Sequence, residues 1–180
     1  MKLKTEYITE HNRFWSEINN LAKEAFPPEE YLAPIELVRM SKANNFDFLL
    51  LTDDEQFVGF MVVQTHKNLA YLFFLAIDSS RRSKGYGSYA IEALKEAYPE
   101  KKQVVDFEML DEKADNYEQR KKRRNFYLRN GYKETGLFLS YLGVDYEVFC
   151  MEDDFDVEEF KELMTTIQVE GFNPKYFNML

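Results

Sequence analysis

Ala76-Ile77-Asp78-Ser79-Ser80-Arg81-Arg82-Ser83-Lys84-Gly85-Tyr86-Gly87-Ser88 is the stretch on which the reading of the chain turns. An apolar run ends at Ile77, a short polar turn follows, and helical spacing begins at Gly85. From Arg82 the letters read R-x-x-G-x-G. Glycine lets a backbone come close to a ligand and tolerates unusual dihedrals. The first amides of a helix lack an intrahelical acceptor, and with the helix dipole they make a site suited to a diphosphate. Arg81, Arg82 and Lys84 add positive charge there. A P-loop would end in Gly-Lys-Ser/Thr, whereas Ser88 follows Gly87 directly. A dinucleotide-binding turn needs a third glycine and a parallel βαβ unit. Neither rival pattern fits.

Outward from that turn, the chain alternates between two textures. Toward the N-terminus, residues 11–25 carry Phe14, Ile18, Leu21, Ala22 and Ala25 at helical spacing, and Phe26-Pro27-Pro28 stops that helix. A short helix is expected over 35–43. Residues 46–51, 56–64 and 69–77 are apolar runs separated by turn-forming residues, which predicts an antiparallel meander. Residues 2–8 offer one more pairing segment. Toward the C-terminus, a helix is expected over 85–98 and a strand over 103–109. A helix over 117–130 closes at Gly131. Strands over 132–139 and 145–151 and a helix over 157–167 follow. This order predicts an α/β mixed sheet, mostly antiparallel, with helices on both faces.

A second signal lies in Arg124-Asn125-Phe126-Tyr127-Leu128-Arg129-Asn130-Gly131-Tyr132. A tyrosine sits one turn before the glycine that ends its helix, and an aromatic-led strand begins at once. With the R-x-x-G-x-G helix in this order and separation, residues 1–151 resemble the GNAT family of N-acetyltransferases. The resemblance implies a twisted sheet splayed between its fourth and fifth strands, with the pantetheine of acetyl-CoA in that gap. It implies one GNAT domain over 1–151, with residues 152–180 packed on it as a C-terminal helix and tail. It also implies direct attack of a primary amine, from a small molecule or peptide, on the thioester.

Residue by residue, the resemblance implies that amides of Arg82, Ser83, Lys84, Gly85, Tyr86, Gly87 and Ser88 hold the pyrophosphate. Leu75, Ala76 and Ile77 pair through their backbone with pantetheine. Tyr127 sits near the sulfur and protonates the departing thiolate. Many members place a glutamate on the fourth strand as base. Here that strand reads Leu69-Ala70-Tyr71-Leu72-Phe73-Phe74-Leu75, without a carboxylate. Glu108 on the fifth strand is the candidate base instead. Alternation puts it on one face with Val104 and Asp106, and Val105, Phe107 and Met109 on the other. The missing carboxylate keeps a second reading open: a non-catalytic CoA-binding sensor or scaffold of the same fold.

Composition sets the boundaries of these readings. The net charge is −9 and hydrophobic residues make up 45% of the 180. Such a charge disfavours nucleic acid and anionic membranes as partners and favours cations. The run Arg120-Lys121-Lys122-Arg123-Arg124 does not reverse this, because five successive helical positions spread around the cylinder. Within the family reading, Arg120 or Arg123 is a candidate for attracting the CoA 3′-phosphate. Cys150, the one cysteine, is expected to be a buried core residue, and its isolation points to a reducing, cytoplasmic setting. No apolar window is long enough for a spanning helix, and the first residues lack a secretory signal. His11 and His66 show no metal-ligand spacing, so no metal is expected. Phe26, Glu29, Glu30, Tyr31 and Tyr141 are candidates for lining an acceptor pocket. The aromatic tail from Gly171 to Phe177 leaves two roles open, covering the site or meeting a second subunit in a homodimer.

Overall fold

A hydrogen bond from the Phe14 amide to the Asn12 side-chain oxygen, 2.9 Å long, delays the first helix. That side-chain turn occupies the residues before Trp15, so the helix α1 runs Trp15–Ala25 rather than from residue 11. The computed structural model describes residues 1–28, 30–43 and 45–179. The chain divides into two compact units: Met1–Thr65 with Leu72–Glu100, and His66–Tyr71 with Lys101–Leu180.

In the first unit, β1 (Lys4–Tyr7), α1 and α2 (Pro34–Met40) precede the strands β2 (Phe46–Asp53), β3 (Gln56–His66) and β4 (Leu69–Ile77). The strands lie in chain order, and β2 pairs antiparallel with β1 (Thr5 opposite Leu51) and with β3 (Leu50 opposite Phe60). Ile18, Leu21 and Ala22 of α1 and Leu37 and Val38 of α2 pack with Phe48, Leu50, Phe60 and Val62. Burial along β2 and β3 is nearly continuous, as a strand covered on both faces requires. The last strand residue, Ile77, leads through a tight turn, Ser79–Arg81, into α3 (Tyr86–Ala97).

Gly59 of β3 sets how close the end of β4 comes. A Cβ there would lie 2.0 Å from the Ala76 carbonyl oxygen, so only glycine admits the approach.

The second unit holds the opening residues of β4, then β5 (Lys102–Glu108), α4 (Tyr117–Arg129), β6 (Lys133–Tyr141), β7 (Val144–Cys150), α5 (Val157–Thr165) and β8 (Lys175–Asn178). Its strand order is β5-β7-β6-β8, all antiparallel, with the β6–β7 hairpin folded so that β7 lies next to β5. The passage β4-α3-β5 among antiparallel pairs makes the architecture a mixed α/β sheet, as the order of elements implied. The C-terminal tail is where sequence pattern fell short. Residues 175–178 form an edge strand on β6, with Phe177 opposite Phe138 and their rings stacked at 5.6 Å. A four-residue strand carries too little alternation to be read from its letters.

Candidate active site

The helix α3 begins at Gly85, whose φ of 84° is the left-handed conformation that glycine adopts without steric cost. No side chain caps the helix, so the amides of its first turn, at Tyr86, Gly87 and Ser88, are left for another acceptor. The preceding turn is braced from within. Asp78 accepts from the Ser80 amide at 3.0 Å, and the Asp78 amide donates to the Val58 carbonyl at 2.8 Å.

The basic side chains of the turn have internal partners. Arg82 donates to the Ile77 carbonyl at 3.1 Å and pairs with Glu24 at 2.9 Å. Lys84 donates to the Ser80 carbonyl at 3.0 Å. Arg81 donates to the Tyr86 hydroxyl at 3.0 Å, which in turn donates to Asp53 at 2.7 Å. These side chains therefore shape the loop, while the backbone nitrogens carry its anion-binding potential. Leu75 is half-buried and Ala76 buried, at the end of β4 that Gly59 admits.

In the second unit, Tyr127 lies inward on α4, 8% exposed. Its ring stacks on Phe107 of β5 at 5.2 Å and meets Tyr132 edge-on at 5.3 Å. The end of α4 is fixed by the Tyr132 amide donating to the Tyr127 carbonyl at 3.1 Å. Burial pushes the Tyr127 phenol up to about 12, so it stays protonated at neutral pH.

Glu108 is the last residue of β5, paired opposite Tyr146 of β7. It accepts from the Asn116 side-chain amide at 2.8 Å and pairs with Arg120 at 3.0 Å, at the start of α4. Arg120 also donates to Asn116 at 2.7 Å and to the Met109 carbonyl at 2.9 Å. The side chains of Arg120 and Glu108 are largely covered. Met109, Leu110, Asp111, Arg120, Gly143, Val144 and Asp145 line a cavity of about 310 Å³ here, at the lower end of ligand-pocket sizes.

The basic run splits by helical phase. Arg120 and Arg124, one turn apart, face carboxylates, whereas Lys121, Lys122 and Arg123 are exposed. Arg124 bonds Glu147 at 3.0 Å and also meets Glu134. Arg120 is thus held in an ion pair, and of the two arginines considered for a phosphate contact Arg123 is the exposed one.

Other candidates divide similarly. Phe26 packs on Phe74 at 4.5 Å, and Tyr31 is partly buried against the core of the first unit. The Glu30 amide closes a turn onto Pro27 at 3.0 Å. Glu29 lies outside the described residues. Cys150 is buried, and burial raises its thiol to about 12, which removes it as a nucleophile at neutral pH. His66 meets Glu162 at 3.1 Å and the exposed His11 sits 3.7 Å from Glu10. Among the described residues, no three His, Cys, Asp or Glu side chains cluster as metal ligands, and no helix is long and apolar enough to cross a membrane.

Asp106, also on β5, shares a strand face with Val104 and Glu108 by alternation. The hydroxyl of Tyr71 donates to its Oδ1 at 2.7 Å, and that of Tyr141 to its Oδ2 at 3.0 Å. Tyr141 stacks flat on Tyr146 at 4.0 Å. Burial, then the nearby carboxylate, holds both donor phenols well above the usual tyrosine value. The sequence carried no local sign of this cluster, because Tyr71 and Tyr141 each lie 35 positions away.

Residues 44–134, half of the chain, match the model of the acetyltransferase (GNAT) domain. No curated protein matches the sequence. Among solved structures, a protein from Bacteroides thetaiotaomicron assigned to the GNAT acetyltransferases is 24% identical, with 88% of this chain and 92% of that one aligned and a TM-score of 0.69. An aminoglycoside 6′-N-acetyltransferase complexed with coenzyme A is 19% identical, with coverage of 85% and 99% and a TM-score of 0.63. A GNAT acetyltransferase from Elizabethkingia anophelis with acetyl-CoA bound is 12% identical, with coverage of 84% and 98% and a TM-score of 0.56. These structures share the fold.

Proposed function

The chain belongs to the GNAT acetyltransferase family, and from that premise we propose that it moves the acetyl group of acetyl-CoA to a primary amine by direct attack. The observation that carries this reading is the uncapped start of α3 behind left-handed Gly85. In this reading the amides from Arg82 to Ser88 hold the diphosphate, and the backbone of Leu75, Ala76 and Ile77 runs along pantetheine. The structures solved with coenzyme A and with acetyl-CoA lend it support. No metal takes part.

The amine's nitrogen bonds the thioester carbon, the tetrahedral intermediate collapses, and the carbon–sulfur bond breaks toward sulfur. Tyr127 is assigned to that sulfur. Its phenol sits at about 12, whereas an alkyl thiol such as cysteine's ionises near 8.5. Full transfer of its proton to the thiolate would run uphill by on the order of 5 kcal/mol. Tyr127 is therefore read as a hydrogen-bond donor that stabilises the developing thiolate. The neutral amine attacks, and the proton that ends on sulfur comes from the nitrogen, which is positively charged once it has added to the carbonyl carbon.

A lysine-like amine is neutral in only about one molecule in a thousand at pH 7. Glu108 is the sequence's candidate for removing its proton. Since Glu108 is held by Arg120 and Asn116, acting as base would require it to give up a largely covered ion pair. We assign it to fixing the start of α4 and let water carry the proton. On this reading Glu108→Gln leaves the rising limb of kcat/KM against pH in place. Loss of that limb in the variant would return the base role to Glu108.

The absence of a fourth-strand carboxylate, with Glu108 engaged, favours one rival: a sensor or scaffold that binds CoA without chemistry. Calorimetry with CoA and thiol release with a panel of primary amines separate the two. Binding with thiol release supports the enzyme, and binding without release for any amine supports the rival. No binding at millimolar CoA sinks both.

A further inference from the structure

We propose that Asp53 and Gln56, the residues on either side of the β2–β3 turn, are positioning residues for the diphosphate turn. Acting through Tyr86 and Arg81, they hold the two ends of that turn together and so set its affinity for the diphosphate of the coenzyme. The inference rests on the coenzyme reading of the turn and concerns what holds it in shape from another pair of strands.

The argument begins with the hairpin. Only Asp54 and Glu55 connect β2 to β3, and their φ values are 46° and 61°. Two left-handed residues are what a type I′ turn requires, and glycine or asparagine is the usual choice. Neither residue is one of these, so the turn is held against a steric preference. Asp53 and Gln56 stand directly opposite each other across it, which turns their side chains to one face of the hairpin. Glu55 is fixed as well, by Lys4 at 3.2 Å and Arg13 at 3.4 Å.

From that face the two side chains reach both ends of the diphosphate turn. Tyr86 opens α3 and is buried. Its hydroxyl donates to Asp53 Oδ2 at 2.7 Å and accepts from Arg81 Nη1 at 3.0 Å. Arg81 Nη2 donates to Gln56 Oε1, and the guanidinium lies 5.4 Å from the centre of the Tyr86 ring. Arg81 and Tyr86 bracket Arg82, Ser83, Lys84 and Gly85. The bond between their side chains therefore closes that segment into a loop, and the hairpin grips the loop at its closure.

Inside the closed segment, Ser83 has a φ of 61° and Gly85 of 84°. An ordinary residue such as Ser83 keeps a left-handed backbone only where its surroundings over-determine it. The ring of Asp53, Tyr86, Arg81 and Gln56 supplies that constraint from outside the turn. Other side chains of the segment do less. Lys84 bonds the Ser80 carbonyl, within the same stretch. Arg82 reaches Glu24 of α1, but that pair is about half exposed, and such pairs contribute little. Amides already fixed in place lose less freedom when a ligand binds, which raises affinity.

The test compares CoA with pantetheine, which lacks the diphosphate, by calorimetry on the full-length protein, pantetheine being measured by displacement of CoA. The variants are Asp53→Ala, Asp53→Asn, Tyr86→Phe and the double variant Asp53→Ala with Tyr86→Phe, each checked for folding by a thermal melt. Expected is CoA binding weaker by about tenfold in Asp53→Ala. The loss is smaller in Asp53→Asn, whose side-chain oxygen still accepts from the hydroxyl. Pantetheine binds every variant as it binds wild type. Because Asp53 acts through the Tyr86 hydroxyl, the double variant binds CoA no more weakly than Tyr86→Phe alone. Should Asp53→Ala not fold, Tyr86→Phe, which keeps the ring, carries the same comparison. Wild-type CoA affinity in a folded Asp53→Ala overturns the proposal, and so does an equal loss for CoA and pantetheine, which marks general damage. Wild-type protein that binds no CoA at millimolar concentration defeats the coenzyme reading itself. CoA binding that depends on Asp53, without thiol release from any amine, keeps the positioning role and defeats the acetyltransferase reading.

Discussion

Tyr127 and Gly59 show how single residues set limits here. The Tyr127 ring is gripped by Phe107 and Tyr132, so losing the hydroxyl should leave the packing almost intact. Tyr127→Phe is expected to bind CoA as wild type does while turnover falls about tenfold or more; unchanged single-turnover rates would remove Tyr127 from the chemistry. Gly59 faces a harder limit, since a methyl at 2.0 Å from the Ala76 oxygen cannot be accommodated without moving backbone. Gly59→Ala should destabilise the protein by about 1 to 3 kcal/mol, read from a urea midpoint. By displacing the end of β4 it should also weaken CoA binding. A wild-type melt with wild-type affinity would show that the strand end is not so constrained. Tyr127 could be picked out from its place before Gly131, a local pattern. The demand on Gly59 could not, because the atom it avoids is 17 positions away and belongs to another strand.

Among the elements, α4 is fastened by specific side-chain partners on other elements. Nine of its thirteen residues are charged or polar and Tyr127 is its buried residue, so no broad apolar stripe holds it down. Tyr127 and two ion-paired arginines fasten it instead. Arg124 bridges Glu147, only 7% exposed, and Glu134. Removing the guanidinium leaves a carboxylate buried without its cation, which in comparable cases costs about 3 to 5 kcal/mol. Because Arg124 keeps some exposure, the lower end is expected for Arg124→Ala. The paired change Arg124→Met with Glu147→Gln should recover part of the loss in the same denaturant series. The helix α5 offers a milder comparison: Asp156 caps it by accepting from the Glu159 amide at 3.1 Å. Asp156→Ala should cost about 1 kcal/mol in that series.

For the whole molecule, buried phenols dominate the response to alkali. Tyr71, Tyr132 and Tyr141 are held well above the usual value mainly by burial, and Tyr127 and Tyr176 reach about 12. In the unfolded chain they ionise near 10. Between about pH 10 and 12 the folded state therefore holds protons that the unfolded state has lost, and stability falls as pH rises. Below pH 10 this contribution is fully present. Unfolding free energy should be level from pH 8 to 9 and drop steeply above 10, with tyrosinate absorbance rising together with the loss of structure. Tyrosinate appearing in full while structure persists would show that these rings are reached by solvent in the native state.

The sequence alone determined the order of helices and strands as far as the last helix, the glycine turn at Gly85 and Gly87 that opens α3, and the tyrosine before Gly131. Each of these is written within a few neighbouring residues, by periodicity, a proline stop or a glycine at a turn. Tertiary structure decided which charges answer which. It tied Arg82 to Glu24 and Glu108 to Arg120, placed residues 175–178 on the edge of β6, and brought two tyrosines from opposite directions along the chain onto Asp106. The physical reason is the range of the interactions. Backbone preferences act between neighbours in sequence, whereas the setting of a carboxylate depends on whatever the completed fold brings within about 3 Å of it.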